Sequence, residues 1–342
     1  MPLVSIIVPC YNEQATIHLL LEAICSQTVP KADLEVIIAD GRSTDSTREN
    51  VAVFQQSHPD LFVRIVDNPR RIIPAALNCA LAAARGEYVI RLDAHSVPAP
   101  DYVERCLENL RAGRGENVGG IWEIRPRGGG LVQRAIALAA AHPMGVGDAR
   151  YRYTSQPGYV DTVPFGAFRR DVFDRFGTFD ESLLTNEDYE FNARLRIGGG
   201  RIWLDPHVRS TYYARSNLKE LARQYLRYGY WKWRMLRRYP STLRWRQALP
   251  PLFVLGVLVM AVLALAWNPA RIALGGVAAA YVLTLLAGSF STARRANDFR
   301  LLAIVPLAIA TMHFCWGAGF LWSAATSLVA GTASERAGKT LT

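Results

Sequence analysis

Asp93 and His95 flank the small Ala94 at the end of a short, mostly apolar run, Tyr88 to Leu92. Such a run suits a strand in the middle of a parallel sheet. In open α/β sheets, ligands sit at the carboxyl ends of the strands. A carboxylate and an imidazole placed there make half of a divalent-cation site. A cation held by them would most naturally carry a phosphate group, which points to a nucleotide-type substrate.

Two earlier stretches repeat the pattern. Val4-Ser5-Ile6-Ile7-Val8 runs into Pro9-Cys10-Tyr11-Asn12-Glu13, and Glu35-Val36-Ile37-Ile38-Ala39 runs into Asp40-Gly41-Arg42-Ser43-Thr44-Asp45. A helix-like segment follows each. Thr16 to Ser26 places Ile17, Leu20, Leu21 and Ile24 on one face. Ser43 or Thr44 is expected to cap the next helix, with Asp45 favourable in its first turn. Singly, Asp40 or Asp93 reads equally well as a turn or cap residue. At corresponding strand ends they define one pocket along one sheet edge.

Further on, Asp161 to Phe168 reads as extended, with a tight Gly166, and Arg169 to Phe176 as a helix. After a loop, Thr185 to Asn192 opens a helix running to Gly198. Glu187, Asp188 and Glu190 fall in its first turn, where carboxylates face the positive end of the helix dipole. For Glu190 that placement is explanation enough. A second carboxylate cluster beside a nucleotide pocket is also what a general base looks like.

The elements that follow are of another kind. Leu249 to Trp267, Ile272 to Ala293 and Leu301 to Ser334 contain no charge and are 19, 22 and 34 residues long. A bilayer-spanning helix needs about 20 apolar residues. The third run reads as one tilted helix or as a helix plus an interfacial piece. Residues 1–214 hold 23 basic and 26 acidic side chains, residues 215–246 ten basic and one acidic. A basic excess just before the first apolar run places the N-terminal part in the cytoplasm and attracts anionic lipid head groups. Membrane lipids, not nucleic acid, are therefore the expected partners of this cluster. Ser216 to Arg238 is basic, aromatic and amphipathic, as an interfacial helix is, with Trp231, Trp233, Arg237 and Arg238 at head-group depth.

The five cysteines are scattered, without a C-x-x-C pair, so neither a zinc site nor a disulfide framework is expected. The chain opens on a strand pattern with no basic n-region, so no signal peptide is expected.

In this order the motifs resemble those of the family 2 glycosyltransferases, which have the GT-A fold, and most of all the membrane-anchored succinoglycan-biosynthesis glucosyltransferases (ExoA-type). The resemblance covers about Val4 to Arg246 and extends into the apolar tail. Val4 to Glu13 matches the family's first strand and donor-binding turn. Asp40 to Asp45 matches D-D-G-S-T-D, with Gly41 in place of the second Asp. Asn68 to Asn78 matches the segment before the metal motif. Asp93-Ala94-His95 stands where D-x-D is usual. Asn186-Glu187-Asp188 matches the E-D motif, and Gln224 to Tyr228 matches Q-x-x-R-W with Tyr for Trp.

The resemblance implies an α/β fold: a nucleotide-sugar-binding GT-A domain with a Rossmann-like, mostly parallel sheet, followed by an α-helical transmembrane region. The catalytic domain is expected over 1–214, a basic aromatic interfacial region over 215–246, about three membrane helices over 247–334 and a short tail over 335–342. It implies a hexosyltransferase that inverts the anomeric centre. The donor is a UDP-sugar, most similar to UDP-glucose, and the acceptor a lipid-linked saccharide on a polyprenyl diphosphate, in bacterial exopolysaccharide biosynthesis at the inner membrane. Pro9, Tyr11, Glu13, Asp40, Arg71 and Asp93 are implied in nucleotide-sugar binding, with Arg70 the alternative to Arg71. Asp93 and His95 are implied as ligands of Mn²⁺ or Mg²⁺, and Asp188 as the base. Phe165, Gly166, Glu187, Gln224, Arg227 and Tyr228 are implied in positioning the acceptor or the diphosphate. Rival readings are a polyprenyl-phosphate glycosyltransferase, a processive synthase, and a catalytically silent nucleotide-sugar-binding subunit.

Overall fold

The structure is a computed structural model that describes residues 1–339; the side chains of Ser241 and of residues 328–339 lie outside the description. The chain forms two compact units. The first comprises Met1–Glu123 and Ala149–Tyr212, the second Ile124–Asp148 and the chain from Tyr213 onward. Residues 124–148 thus leave the 1–214 segment and pack with the second unit.

The first unit opens with β1 (Val4–Cys10), α1 (Ile17–Cys25), β2 (Leu34–Asp40), α2 (Thr47–Ser57), β3 (Phe62–Asp67), α3 (Ile73–Ala83) and β4 (Tyr88–Arg91). It continues through β5 (Val97–Pro98), α4 (Tyr102–Arg111) and β6 (Asn117–Arg125). The strands order as β3-β2-β1-β4, and all three pairings are parallel. Every residue of β2 is buried, as a parallel strand covered on both faces requires. Its side chains alternate between two cores. Val36 and Ile38 pack with Ile17, Leu20, Leu21 and Ile24 of α1 and with α4, whereas Ile37 and Ala39 pack with Ala76, Leu77 and Ala80 of α3. The helical face expected for α1 is the one buried.

The excursion 124–148 carries two short helices of the second unit, α5 (Leu131–Ala140) and α6 (Pro143–Val146). Back in the first unit come β7 (Gly158–Tyr159), β8 (Ala167–Arg169), α7 (Asp171–Phe176), α8 (Glu187–Ile197) and β9 (Ile202–Tyr213). β8 pairs antiparallel with both β4 and β6, and β9 pairs antiparallel with β5 and β7. A four-strand parallel half therefore joins an antiparallel half, and the sheet as a whole is mixed. β1 lies between β2 and β4, where the chain winds off in opposite directions. That is the switch point at which α/β sheets hold ligands. Register aligns Cys10 with Asp40 and Ile7 with Arg91, so the three polar tips share one edge, as expected.

The second unit continues with α9 (Leu218–Leu236), α10 (Trp245–Leu263), α11 (Asn268–Arg295) and α12 (Leu301–Lys339). Among the described residues, three helices are long and apolar enough to cross a membrane: Trp245–Leu263, Asn268–Arg295 and Leu301–Ser327. The third apolar run forms a single helix with Pro306 inside it. The tail expected over 335–342 begins within α12, and residues 340–342 lie outside the described ones. Ala135, Ile136 and Ala139 of α5 share a core with Leu221 and Tyr225 of α9 and with Val305, Ala308, Ile309 and Met312 of α12. His313 is held on both sides, by the Tyr281 hydroxyl at 3.0 Å from Nδ1 and the Met144 carbonyl at 2.7 Å from Nε2. α9 and α12 touch backbone to backbone at Gly229 and Gly319, where an added Cβ would overlap the Trp316 and Leu226 carbonyls.

Candidate active site

The loops at the sheet edge are built from strained backbone. Asn12, Arg42, Arg71, Phe165 and Asn186 all have positive φ, between 55° and 70°. Each non-glycine residue held there costs about 1–3 kcal/mol and persists only where its surroundings over-determine it. These five stand in the loops after β1, β2 and β3, before β8 and before α8, the segments that carry the sequence motifs.

The loop after β2 folds onto the loop after β1. The Asn12 N–H donates to Ser43 Oγ (2.8 Å), the Thr44 N–H donates to Asn12 Oδ1 (2.9 Å), and the Glu13 N–H donates to Thr47 Oγ1 (2.8 Å). Ser43 and Thr44 are spent on these bonds, and neither caps α2. The cap position falls to Ser46, whose side chain makes no capping bond, and Asp45 lies just ahead of it rather than in the first turn, its Oδ1 accepting from the Thr47 N–H at 3.1 Å. Asp40 is 1% exposed. It accepts from the Ser43 N–H (3.0 Å), the Ser43 hydroxyl (2.5 Å) and Arg48 Nε (2.6 Å). A carboxylate accepts about four hydrogen bonds, so room for one more remains. Tyr11 is exposed, and a Cβ on Gly41 would stand 3.1 Å from its ring.

At the adjoining strand end, His95 Nδ1 lies 3.0 Å from Glu13 Oε1. Burial pushes the Glu13 carboxyl up, but hydrogen bonds from His95 and Thr16 outweigh it, and the group is held below the usual range. Asp93 and His95 are both partly exposed. Among the described residues no group of three or more His, Cys, Asp or Glu forms a metal cage. Mg²⁺-type cations in nucleotide sites take one or two carboxylates and complete their shell from phosphates and water. A carboxylate and an imidazole two residues apart at one strand end are of the types such a shared cation takes, and the Glu13 carboxylate on His95 is the kind of outer-shell partner that orients a metal-binding histidine.

Arg91, two residues before Asp93, is the one charged residue of the otherwise apolar β4. Its side chain is 7% exposed. NH2 lies 3.1 Å from Asp93 Oδ1 and 3.0 Å from Glu187 Oε1, and NH1 lies 3.4 Å from Asp188 Oδ2. Burial disfavours its charge, but the Asp93, Glu187 and Asp188 carboxylates hold it charged more firmly than usual. Glu187 is buried. Desolvation, opposed by Arg91 and reinforced by Asp188 and Asp93, pushes its carboxyl up to about 7. Asp188 is 39% exposed and accepts from the Tyr189 N–H at 2.7 Å. Of the two acids, Asp188 is therefore the one an incoming hydroxyl can reach. The third, Glu190, is fully buried and held by both Arg194 Nε and NH2, a structural pair.

Phe165 and Gly166 adjoin this cluster: the Arg91 N–H donates to the Gly166 carbonyl at 2.9 Å. Arg70 is paired with Glu181, whereas Arg71 occupies one of the strained positions. Pro9, the one half-buried residue of β1, stands next to its last residue, Cys10. Gln224, Arg227 and Tyr228 lie on α9 in the second unit. Gln224 Nε2 donates to the Tyr228 hydroxyl at 2.9 Å, a bond that the usual Trp at that position would not make, and Arg227 is exposed. A sequence signal for Arg91 did exist, namely a lone charge inside an apolar strand on the same face as Asp93.

Residues 5–177 match the profile described as "Glycosyl transferase family 2". The chain is 33% identical over 317 residues to the succinoglycan biosynthesis protein ExoA of Rhizobium meliloti, covering 92% of this chain and 93% of that one. It is 29% identical over 266 residues to a Methanococcus voltae dolichyl N-acetyl-α-D-glucosaminyl phosphate 3-β-D-2,3-diacetamido-2,3-dideoxy-β-D-glucuronosyltransferase, covering 76% and 80%. A solved mannosyltransferase from Pyrobaculum calidifontis, in complex with GDP-Man and Mn²⁺, superposes with a TM-score of 0.65 at 22% identity, over 94% of this chain and 87% of that one. That is a likeness of fold: the mixed sheet of the GT-A type, followed by apolar helices. With the motifs in order along the chain, the profile spanning half its length and a 33% identical relative covered almost end to end, the chain is a glycosyltransferase that belongs to glycosyl transferase family 2.

Proposed function

We propose that the protein transfers a sugar, glucose by resemblance, from a UDP-sugar to a lipid-linked saccharide on a polyprenyl diphosphate, with inversion, in exopolysaccharide synthesis. The observation that carries this reading is Asp188, an exposed carboxylate at the start of α8, tied through Arg91 to Asp93 at the sheet edge. Asp188 takes the proton of an acceptor hydroxyl. The hydroxyl oxygen bonds to the anomeric carbon from the face opposite the diphosphate. The bond from that carbon to the diphosphate oxygen breaks, and UDP leaves with its electron pair. An α-linked donor thus gives a β-linkage. Asp40 accepts from the uracil imide, exposed Tyr11 stacks on the base, and Pro9, Glu13 and Arg71 complete the donor site. Asp93 and His95 would hold the divalent cation, Mn²⁺ or Mg²⁺, which supplies charge neutralisation for the departing diphosphate. Phe165, Gly166 and Glu187 shape the acceptor side. Gln224, Arg227 and Tyr228 act on the diphosphate or acceptor, where an arginine fork suits phosphate.

We infer that residues 1–214 face the cytoplasm at the bacterial inner membrane, a reading supported by the basic excess just before the first apolar run. With three crossings the arginines 294, 295 and 300 also return there.

The test is UDP release from a panel of UDP-sugars, with GDP-mannose as control, by membranes carrying wild type or Asp188→Asn, with Mn²⁺ or Mg²⁺ and lipid-linked acceptor. Release that needs acceptor and metal and is lost in Asp188→Asn supports the reading. Equal release by both proteins removes Asp188 as the base.

A further inference from the structure

Arg91 is the buried cation on which both halves of the site converge. Its backbone is fixed by the β4 pairings and by the 2.9 Å bond from its N–H to the Gly166 carbonyl. Its guanidinium meets Asp93 from its own strand and Glu187 and Asp188 from the start of α8, a helix 96 residues further along the chain in the Arg91–Glu187 pair. Nε and NH1 are buried and make no hydrogen bond among the described residues. An arginine serving only as core structure would have these groups satisfied. NH1 instead faces Asp188 at 3.4 Å, close enough for attraction and without a formed hydrogen bond.

We propose that Arg91 is a positioning residue that ties the start of α8 to the end of β4, holding Asp188 at a fixed place relative to Asp93. A planar fork spans carboxylates from two segments at once, which the single ammonium of lysine does not. Glu187 is the anchor of the tie and Asp188 the group positioned by it. The kinetic consequence rests on the glycosyl-transfer reading; the structural one does not.

The experiment compares full-length wild type, Arg91→Lys and the double variant Arg91→Met/Glu187→Gln, which removes both members of the buried pair and leaves neither charge stranded. Two measurements are made on each. The first is hydrogen–deuterium exchange over residues 93–96 and 185–191, with and without Mn²⁺ and UDP. The second is donor turnover, resolved into kcat and KM. The expected result is faster exchange at 185–191 in both variants, with the strands of the parallel half unchanged. In Arg91→Lys kcat should fall about tenfold or more, while donor KM stays within about threefold, the signature of lost alignment without lost ground-state binding. Unchanged exchange at 185–191, or a kcat within about twofold of wild type, overturns the proposal. Loss of protection across the whole first unit also overturns it, because Arg91 would then be a stability residue. If wild type turns over no donor, the transfer reading fails, and the exchange data alone decide the tie.

Discussion

Glu13 and His95 meet across the switch point of the sheet: Oε1 of one lies 3.0 Å from Nδ1 of the other. One residue comes from the loop after β1 and the other from the loop after β4, so the bond closes the mouth between the two strands. Removing the carboxylate in Glu13→Ala should weaken Mn²⁺ binding, measured by paramagnetic resonance titration with UDP present, by about 10- to 100-fold. Glu13→Gln keeps an acceptor oxygen and should fall between. Equal Mn²⁺ affinity in all three proteins would dissolve the link between Glu13 and the cation.

Asp188→Asn should lower turnover by about 10²–10⁴-fold, the usual weight of a general base. Because Asp188 lies at the rim and Glu187 stays paired with Arg91, UDP affinity and melting temperature should hardly change. Calorimetric UDP titration beside turnover checks this; a parallel loss of UDP binding would assign Asp188 to the donor instead.

Glu187 gives the fold a pH signature. Its carboxyl is raised to about 7 by burial, so the native state keeps a proton that the unfolded chain has lost. The stability from this group is fully present below the ordinary glutamate pKa and disappears as pH rises through about 7. Thermal melts of the full chain between these limits should show falling stability with rising pH, and Glu187→Gln should flatten that trend. Glu13 acts in the opposite sense. Its folded pKa is depressed, so its contribution is present above the unfolded value and is lost in acid.

Gly41 stands where relatives of the motif carry a second Asp, and its missing Cβ leaves Tyr11 room at 3.1 Å. Gly41→Asp should push the Tyr11 ring outward and weaken UDP binding several-fold without a large change in melting temperature. Unchanged affinity would mean that Tyr11 does not stack on the base.

The parts of this fold that the chain states openly are those whose surroundings are uniform. β1, β2 and β4 are covered on both faces, so their apolar runs need no knowledge of partners, and their polar tips follow. The α2 cap was less legible, because Ser43 and Thr44 have a stronger claim on them from Asn12 and Asp40 than from the helix end. Arg91 escaped because strand patterning treats an interior charge as noise. The α5 segment escaped because what covers it, α12, is remote in sequence. Tyr228 was legible as a change from Trp, but the use of its hydroxyl by Gln224 needed the helix itself.

That remoteness has a cost during synthesis. The apolar α5 leaves the ribosome about 160 residues before the first residue of α12, at a time when domains begin folding from the N-terminus. Early in that interval the first unit's remaining strands are being made while α5 has no cover, and α9, which follows, supplies only part of the core that α12 completes. Nascent chains stalled before residue 301 should therefore leave part of this apolar helix exposed to chaperones and proteases, and the last long apolar helix, by arriving, ends that exposure.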